Sequence, residues 1–273
     1  MFDAFPKKRI PLPPAYQARC TPSHYKSNRQ GQTAASSLAQ RMEGWLHRQV
    51  ARDVAGSVAP GKTTLELGAG TLNQLPYEPA GPAYDIVEPF AALYEGSPHL
   101  PRIRHIYDDI AAVPPAHRYD RITSVATLEH IADLPAVVAR AGLLLADEGV
   151  FRASVPSEGT WLWTLGWRLT TGLEFRLRHG LDYGVLMRYE HLNTAAEIEM
   201  VLMHFFADVG CRVWGLSKGI SLYRYYECDR PVLARCQAYL VDSWATRHGC
   251  GPQKADTLRT PFTAWQPQPS KAQ

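Results

Sequence analysis

Apolar positions recur along this chain with two different periods, and the switches between them mark out its elements. Residues 33–55 place Leu38, Met42, Trp45, Leu46, Val50 and Val54 at three- and four-residue steps, which is one apolar face of a helix. From Lys62 onward strand and helix signals alternate. The stretches 63–67, 84–87, 103–107, 119–124 and 150–155 read as strands, with helical stretches at 91–94 and 134–146 between them. That alternation predicts a mostly parallel α/β sheet covered by helices on both faces. A further helix, 195–209, carries Ile198, Val201, Leu202, Phe205 and Phe206 on one face. It leads into two last strands, 211–216 and 221–228. Their connection, Ser217-Lys218-Gly219-Ile220, suits a hairpin and is too short for a parallel crossover.

The two ends read differently. Pro6, Pro11, Pro13, Pro14 and Pro22 prevent a continuous helix over the first 22 residues and predict an extended arm. Residues 232–246 predict a helix with Leu233, Cys236, Leu240 and Trp244 on one side, packed on the sheet or on a second copy in a homodimer. The Pro-, Gln- and Ser-rich stretch beyond Gly249 is predicted to be disordered.

Composition narrows the function classes. A chain of 273 residues with 45% hydrophobic content supports one sizeable core, hence a single α/β domain with appendages. The formal charge of +3, with no Lys/Arg block interleaved with aromatics, argues against nucleic acid as a partner. No apolar run reaches the roughly 18 residues of a membrane span, and residues 1–19 hold no apolar leader, so a cytoplasmic protein is expected. Cys20, Cys211, Cys228, Cys236 and Cys250 are odd in number and lack a Cys-x-x-Cys pair, so free thiols are expected rather than a disulfide framework or a thiolate zinc site.

Chemistry concentrates at strand ends. The run Thr64-Leu65-Glu66-Leu67-Gly68-Ala69-Gly70-Thr71-Leu72 is an apolar strand entering a glycine turn, where backbone N–H groups can approach a ligand closely. The next strand ends in Asp85-Ile86-Val87-Glu88-Pro89, and an acid at that tip can accept from ribose hydroxyls. Two such acids point to an adenosine-bearing ligand. With them the sequence resembles the class I S-adenosylmethionine (SAM) dependent methyltransferases, with Leu72 standing where their third glycine usually is. Further matches are Asp109-Ile110 after the third strand, spaced from Pro114 as in that family, and Thr127-Leu128-Glu129-His130 after the fourth.

The resemblance spans roughly residues 61–231 and implies a Rossmann-like, mostly parallel seven-stranded sheet with an antiparallel final hairpin, helices on both faces and an N-terminal helical cap. It divides the chain into an arm and cap at 1–60, a SAM-binding core at 61–231 with an acceptor-binding insert near 157–192, and a C-terminal helix and tail at 232–273. It implies SAM as cofactor and S-adenosylhomocysteine (SAH) as product. The implied contacts are Glu66, Leu67, Gly68, Ala69 and Gly70 in the first turn, Glu88 and Pro89 at the ribose, Asp109 and Ile110 at the adenine, and Thr127 and Leu128 after strand four.

For a hydroxyl acceptor a base is needed, and His191 is preferred over His130 because it follows the insert and precedes a helix cap at Asn193-Thr194. Some relatives hold a divalent cation with Glu-x-x-Glu-His. Here Ala126 replaces the first Glu, so no metal is expected; a metal variant would use Glu129, His130 and His191. Substrate contacts are expected from Tyr25 and Arg29 in the cap, and from Trp161 and Arg188 in the insert. The insert crowds Trp161, Leu162, Trp163, Leu165, Trp167 and Leu169 beside Arg168, Arg176, Arg178 and His179. That mixture suits a sugar, a polysaccharide precursor or a secondary metabolite with an anionic group, or peripheral contact with a lipid-linked acceptor. A non-catalytic SAM-fold partner subunit and an NAD-dependent dehydrogenase are the two other readings.

Overall fold

The computed structural model of the chain describes residues 2–17, 34–56, 61–81 and 83–247. Tyr25 and Arg29, Cys20 and Cys250, and the stretch beyond Gly249 lie outside the described residues. Among the described residues no helix is long and apolar enough to cross a membrane.

Seven strands form one sheet in the order β3-β2-β1-β4-β5-β7-β6. These are β1 (Thr64–Leu67), β2 (Tyr84–Val87), β3 (His105–Tyr107), β4 (Tyr119–Val125), β5 (Leu145–Pro156), β6 (Phe206–Ser217) and β7 (Ile220–Pro231). The first five are parallel; β7 runs antiparallel between β5 and β6. This is a Rossmann-like α/β fold. All four residues of β1 are buried, as the centre of a sheet covered on both faces requires.

Helices α1 (Pro14–Gln17) and α2 (Ala34–Val50) precede the sheet, and α3 (Ala91–Tyr94) and α4 (Leu134–Leu144) lie within the parallel part. The insert after β5 folds as α5 (Trp161–Trp167), a π turn (Arg168–Gly172), α6 (Leu173–His179) and α7 (Tyr183–Glu190). Then come α8 (Ala195–Phe205) and, after the hairpin, α9 (Leu233–Arg247). The main core joins Leu65, Ile122, Phe151, Val155, Ile198 and Phe205 across the sheet. The N-terminal arm enters it too: Phe2 stacks on Phe205 and meets Tyr239 of α9 edge-on.

Several boundaries differ from the sequence reading: β3 starts at His105 rather than 103, β6 at Phe206 rather than 211, β7 runs to Pro231 rather than 228, and two further shifts have a visible cause. Strand β5 starts at Leu145 rather than 150, because Asp147-Glu148-Gly149, turn-like in sequence, lies within the strand. A Cβ at Gly149 would sit 2.7 Å from the Tyr119 carbonyl oxygen, so only glycine lets the two backbones pass where the register shifts. Helix α8 stops at Phe205, four residues early. Phe206 turns extended and stacks on Phe151, and an apolar run serving both a helix and a buried strand hides that switch from periodicity.

Below the sheet end opposite the strand tips, α2 is clamped by charge. Arg121, 1% exposed, reaches Glu78 at 2.7 Å, Asp53 at 3.0 Å and the Val50 carbonyl at 3.3 Å. Arg152 adds a second bridge to Asp53 at 3.1 Å.

Candidate active site

The turn after β1 is built on left-handed backbone. Gly68 has φ +70° and Gly70 φ +52°. A Cβ on Gly68 would lie 2.2 Å from Thr127 Cγ2, so the close approach of the β1 and β4 ends requires glycine there. Leu72 keeps the same hand, with φ 64°. A non-glycine residue in that region costs about 1–2 kcal/mol, and complete burial of the leucine side chain returns about 1.5–3 kcal/mol. The turn therefore forms without a third glycine.

Glu88, buried at 4% exposure, accepts from Gly70 N–H at 2.8 Å and Phe90 N–H at 3.0 Å, which fixes the β1 turn to the tip of β2. Glu66 points into the sheet's covered face, where the Tyr84 hydroxyl donates to it at 2.9 Å. Burial pushes the Glu66 carboxyl up to about 8, and the nearby Glu78 and Glu88 add to the rise. Asp109 is exposed and caps the short turn Ile110–Ala112, accepting from Ala111 N–H at 2.7 Å. Thr127 Oγ1 donates to the Val125 and Gly68 carbonyls, while Leu128 is fully buried. Leu67, Ala69 and Ile110 are buried, and Pro89 follows Glu88 at the β2 tip.

The two histidines, 61 positions apart in sequence with α4, β5 and the insert between them, meet in space. Asn193 donates from its side chain to the Leu128 and Ile131 carbonyls at 2.8 and 2.7 Å, and the Leu192 and Asn193 N–H groups both donate to the Glu129 carbonyl. Arg9 of the arm donates to the His130 and Tyr189 carbonyls. So braced, the His130 and His191 rings stand 4.9 Å apart, edge to face. The His130 Nδ1 sits 2.9 Å from the Glu190 carbonyl, and the His191 Nδ1 sits 2.7 Å from Glu158 Oε2. Each Nδ1 is thereby the donor, and Nε2 on the far side of the ring is the basic nitrogen.

The Trp163 indole N–H also donates to Glu158, at 2.7 Å, and its ring stacks on His191. For His191 burial is the largest effect and lowers its pKa, but the Glu158 hydrogen bond and the carboxylates of Glu129, Glu158 and Glu190 outweigh it, leaving the imidazole above its ordinary value. Glu158 is correspondingly held low: burial opposes this and is overcome by His191 and the Trp163 N–H. One ligand atom each from Glu129, His130 and His191 lies within 4.8 Å of the others, a set that could hold a divalent cation.

His191 and Glu158 open into a cavity of about 720 Å³ beneath the insert helices. Arg168, Arg176, Arg188, Trp167 and Tyr183 line it, whereas Gly68, Glu88 and Asp109 do not. His191, a lining residue, touches His130, so this end of the cavity lies beside the turn that follows β4. Trp161 is 61% exposed and instead lines a smaller cavity of about 440 Å³ with Leu165 and Arg168.

A family model described as a methyltransferase domain matches residues 34–197, more than half of the chain. The chain belongs to the class I SAM-dependent methyltransferases. Solved structures agree on the fold. The plantazolicin methyltransferase BpumL aligns at 13% identity and TM-score 0.55 over 79% of this chain and 94% of that one. The CurJ carbon methyltransferase aligns at 18% and 0.51 over 78% and 60%. Phosphoethanolamine N-methyltransferase 2 of Haemonchus contortus aligns at 12% and 0.51 over 79% and 59%. This chain therefore spans about three fifths of the latter two. A search of curated proteins returns no match.

For this methyltransferase the dehydrogenase reading falls away. Of the substrate residues read from sequence, Arg188 lines the main cavity and Trp161 does not. On α2, His47 is engaged with Gln74 at 2.8 Å and stacked on Tyr77. Glu158 was missed. It follows β5 directly, and a carboxylate just beyond the C-terminal end of a parallel strand is the signal that could have found it.

Proposed function

We propose that this methyltransferase moves the SAM methyl group to a hydroxyl of a small acceptor, with the Glu158–His191 pair as its base. The observation that carries this reading is the half-buried hydrogen bond from His191 Nδ1 to Glu158, both of which line the insert cavity. SAM, when bound, supplies a methyl group on a positively charged sulfur and leaves as SAH. The chain's own residues do the rest. The Gly68–Gly70 turn, Glu88 and Asp109 are assigned to hold the cofactor at the strand tips, with Glu88, which Gly70 N–H fixes in place, on the ribose. Glu158 holds the proton on His191 Nδ1, so Nε2 can take the acceptor's proton, and the neighbouring carboxylates stabilise the imidazolium that results. The Trp163 ring stacked on His191 limits water and fixes the ring plane. A sugar, polysaccharide precursor or secondary metabolite is the acceptor class that the tryptophans and arginines of the insert support.

The test is incorporation of label from methyl-labelled SAM into a cell extract. His191→Ala should lower it at least about a hundredfold with SAM affinity retained, since loss of a general base typically costs 10²–10⁴. Incorporation within a few-fold of wild type would overturn the assignment.

A second reading has one specific observation in its favour. Both Nδ1 atoms are engaged by Glu190 and Glu158, the outer hydrogen bonds that metal-binding histidines have, and one ring nitrogen of each histidine lies with a Glu129 oxygen within 4.8 Å. Dialysis against EDTA that abolishes labelling, with recovery on adding Mg²⁺, Mn²⁺ or Zn²⁺, would favour it; EDTA-insensitive labelling would dismiss it.

A further inference from the structure

Three arginines line the insert cavity, and none of their guanidinium groups forms a hydrogen bond or ion pair with a described residue. Arg168 rests over the Trp167 ring, 5.6 Å from its centroid, while Arg176 and Arg188 make no side-chain contact of this kind. The other arginines near the insert behave differently. Arg178 pairs with Glu174 at 3.1 Å, and Arg9 donates to backbone carbonyls. The cavity's own carboxylates are also occupied, Glu158 by His191 and Trp163, and Asp182 by capping α7 through Gly184 N–H at 2.8 Å. What the cavity offers a ligand is therefore three uncommitted cations, two aromatic rings, and a base at one end.

We propose that the acceptor carries a phosphate group, gripped by Arg168, Arg176 and Arg188, with its hydroxyl directed at His191. A guanidinium matches a phosphate with two parallel N–H···O bonds, and three of them lining one cavity supply enough positive charge for a dianion or a phosphodiester. This deepens the reading above and rests on the insert cavity being the acceptor site.

The same helices indicate that the phosphate has two sources to distinguish. Trp161, Leu165, Leu169, Leu173 and Leu177, spaced by four along α5, the π turn and α6, are 44–79% exposed. Arg168 lines both cavities beside this apolar row, and Leu173 lines the larger one. A soluble phosphate ester needs only the arginines. A lipid-borne phosphate would engage the apolar row as well, since apolar side chains flanked by arginines are the composition of interfacial helices.

The experiment is calorimetric titration of the SAH-loaded protein with inorganic pyrophosphate, and sedimentation of the same protein with phosphatidylglycerol or phosphatidylcholine vesicles. Wild type should bind pyrophosphate, and R176Q/R188Q should bind it about tenfold or more weakly, with R176K/R188K in between. If the phosphate is lipid-borne, wild type should also sediment with phosphatidylglycerol and not phosphatidylcholine, and Leu169→Ser/Leu177→Ser should release it without affecting pyrophosphate. Equal pyrophosphate affinity in wild type and R176Q/R188Q, or no binding of either probe, would overturn the proposal. Retained SAH binding in each variant reports an intact fold and keeps this failure distinct from failure of the methyltransferase reading, which loss of SAH binding in wild type would mark.

Discussion

Glu66 shows how a single buried side chain sets a pH dependence. Its folded pKa, raised by burial to about 8, lies above the ordinary carboxylate value of 4.5. The folded state therefore keeps a proton between those values that the unfolded chain has released. Its stabilising contribution is complete below about 4.5 and is lost as pH rises towards 8. Glu66→Gln, which keeps an acceptor for the Tyr84 hydroxyl, should be more stable than wild type at pH 8.5 by a few kcal/mol and should show a flatter slope between pH 5 and 8. Urea midpoints across that range check this; parallel slopes for the two proteins would contradict it. Glu158 is the matching case for catalysis. Glu158→Gln preserves a partner for His191 Nδ1 and removes the charge that stabilises imidazolium, so kcat should fall about tenfold or more while SAH affinity stays unchanged. A fall confined to KM would show that Glu158 only shapes the pocket.

Among the elements, the insert depends on a glycine that no sequence pattern marks. The π turn Arg168–Gly172 brings the Trp167 carbonyl to 2.9 Å from where a Gly172 Cβ would stand. Glycine to alanine inside a helix ordinarily stabilises by about 1 kcal/mol. Here the contact is with backbone, so Gly172→Ala should instead destabilise by about 1–3 kcal/mol and speed proteolysis within residues 161–190. A rise in Tm would show that the turn accommodates the methyl group. Asn193 braces the next junction. Asn193→Ala removes two hydrogen bonds to buried carbonyls and should cost about 1–3 kcal/mol, with a matching loss of activity as His130 and His191 separate. These junctions explain which parts were legible in advance. Central strands such as Thr64–Leu67 announce themselves because strand signals alternate with helical ones and end in a glycine turn, and Thr194 caps α8 through a capping box with Glu197 that the sequence displays. The π turn, the early end of α8 and the Gly149 bulge were not legible, because each is decided by a contact with a residue distant in sequence or by backbone crowding.

At the scale of the molecule, the placing of the strand-tip residues was legible in the sequence and the path of the insert was only partly so. Glu66, Gly68, Gly70, Glu88 and Asp109 lie on successive strand ends, so the sheet topology alone gathers them. His191, Glu158 and the three cavity arginines are gathered by the insert, whose path follows from packing of its helices against β7 and the N-terminal arm. The central claim is that the strand tips hold SAM with Glu88 at the ribose. Calorimetric titration of SAM into wild type and Glu88→Ala tests it most directly, with circular dichroism to verify folding. Wild type should bind SAM, and Glu88→Ala should bind it more weakly by about 1.5–3 kcal/mol, the range for hydrogen bonds to a charged group. Equal affinity in a folded Glu88→Ala, or no SAM binding by wild type, would contradict the account.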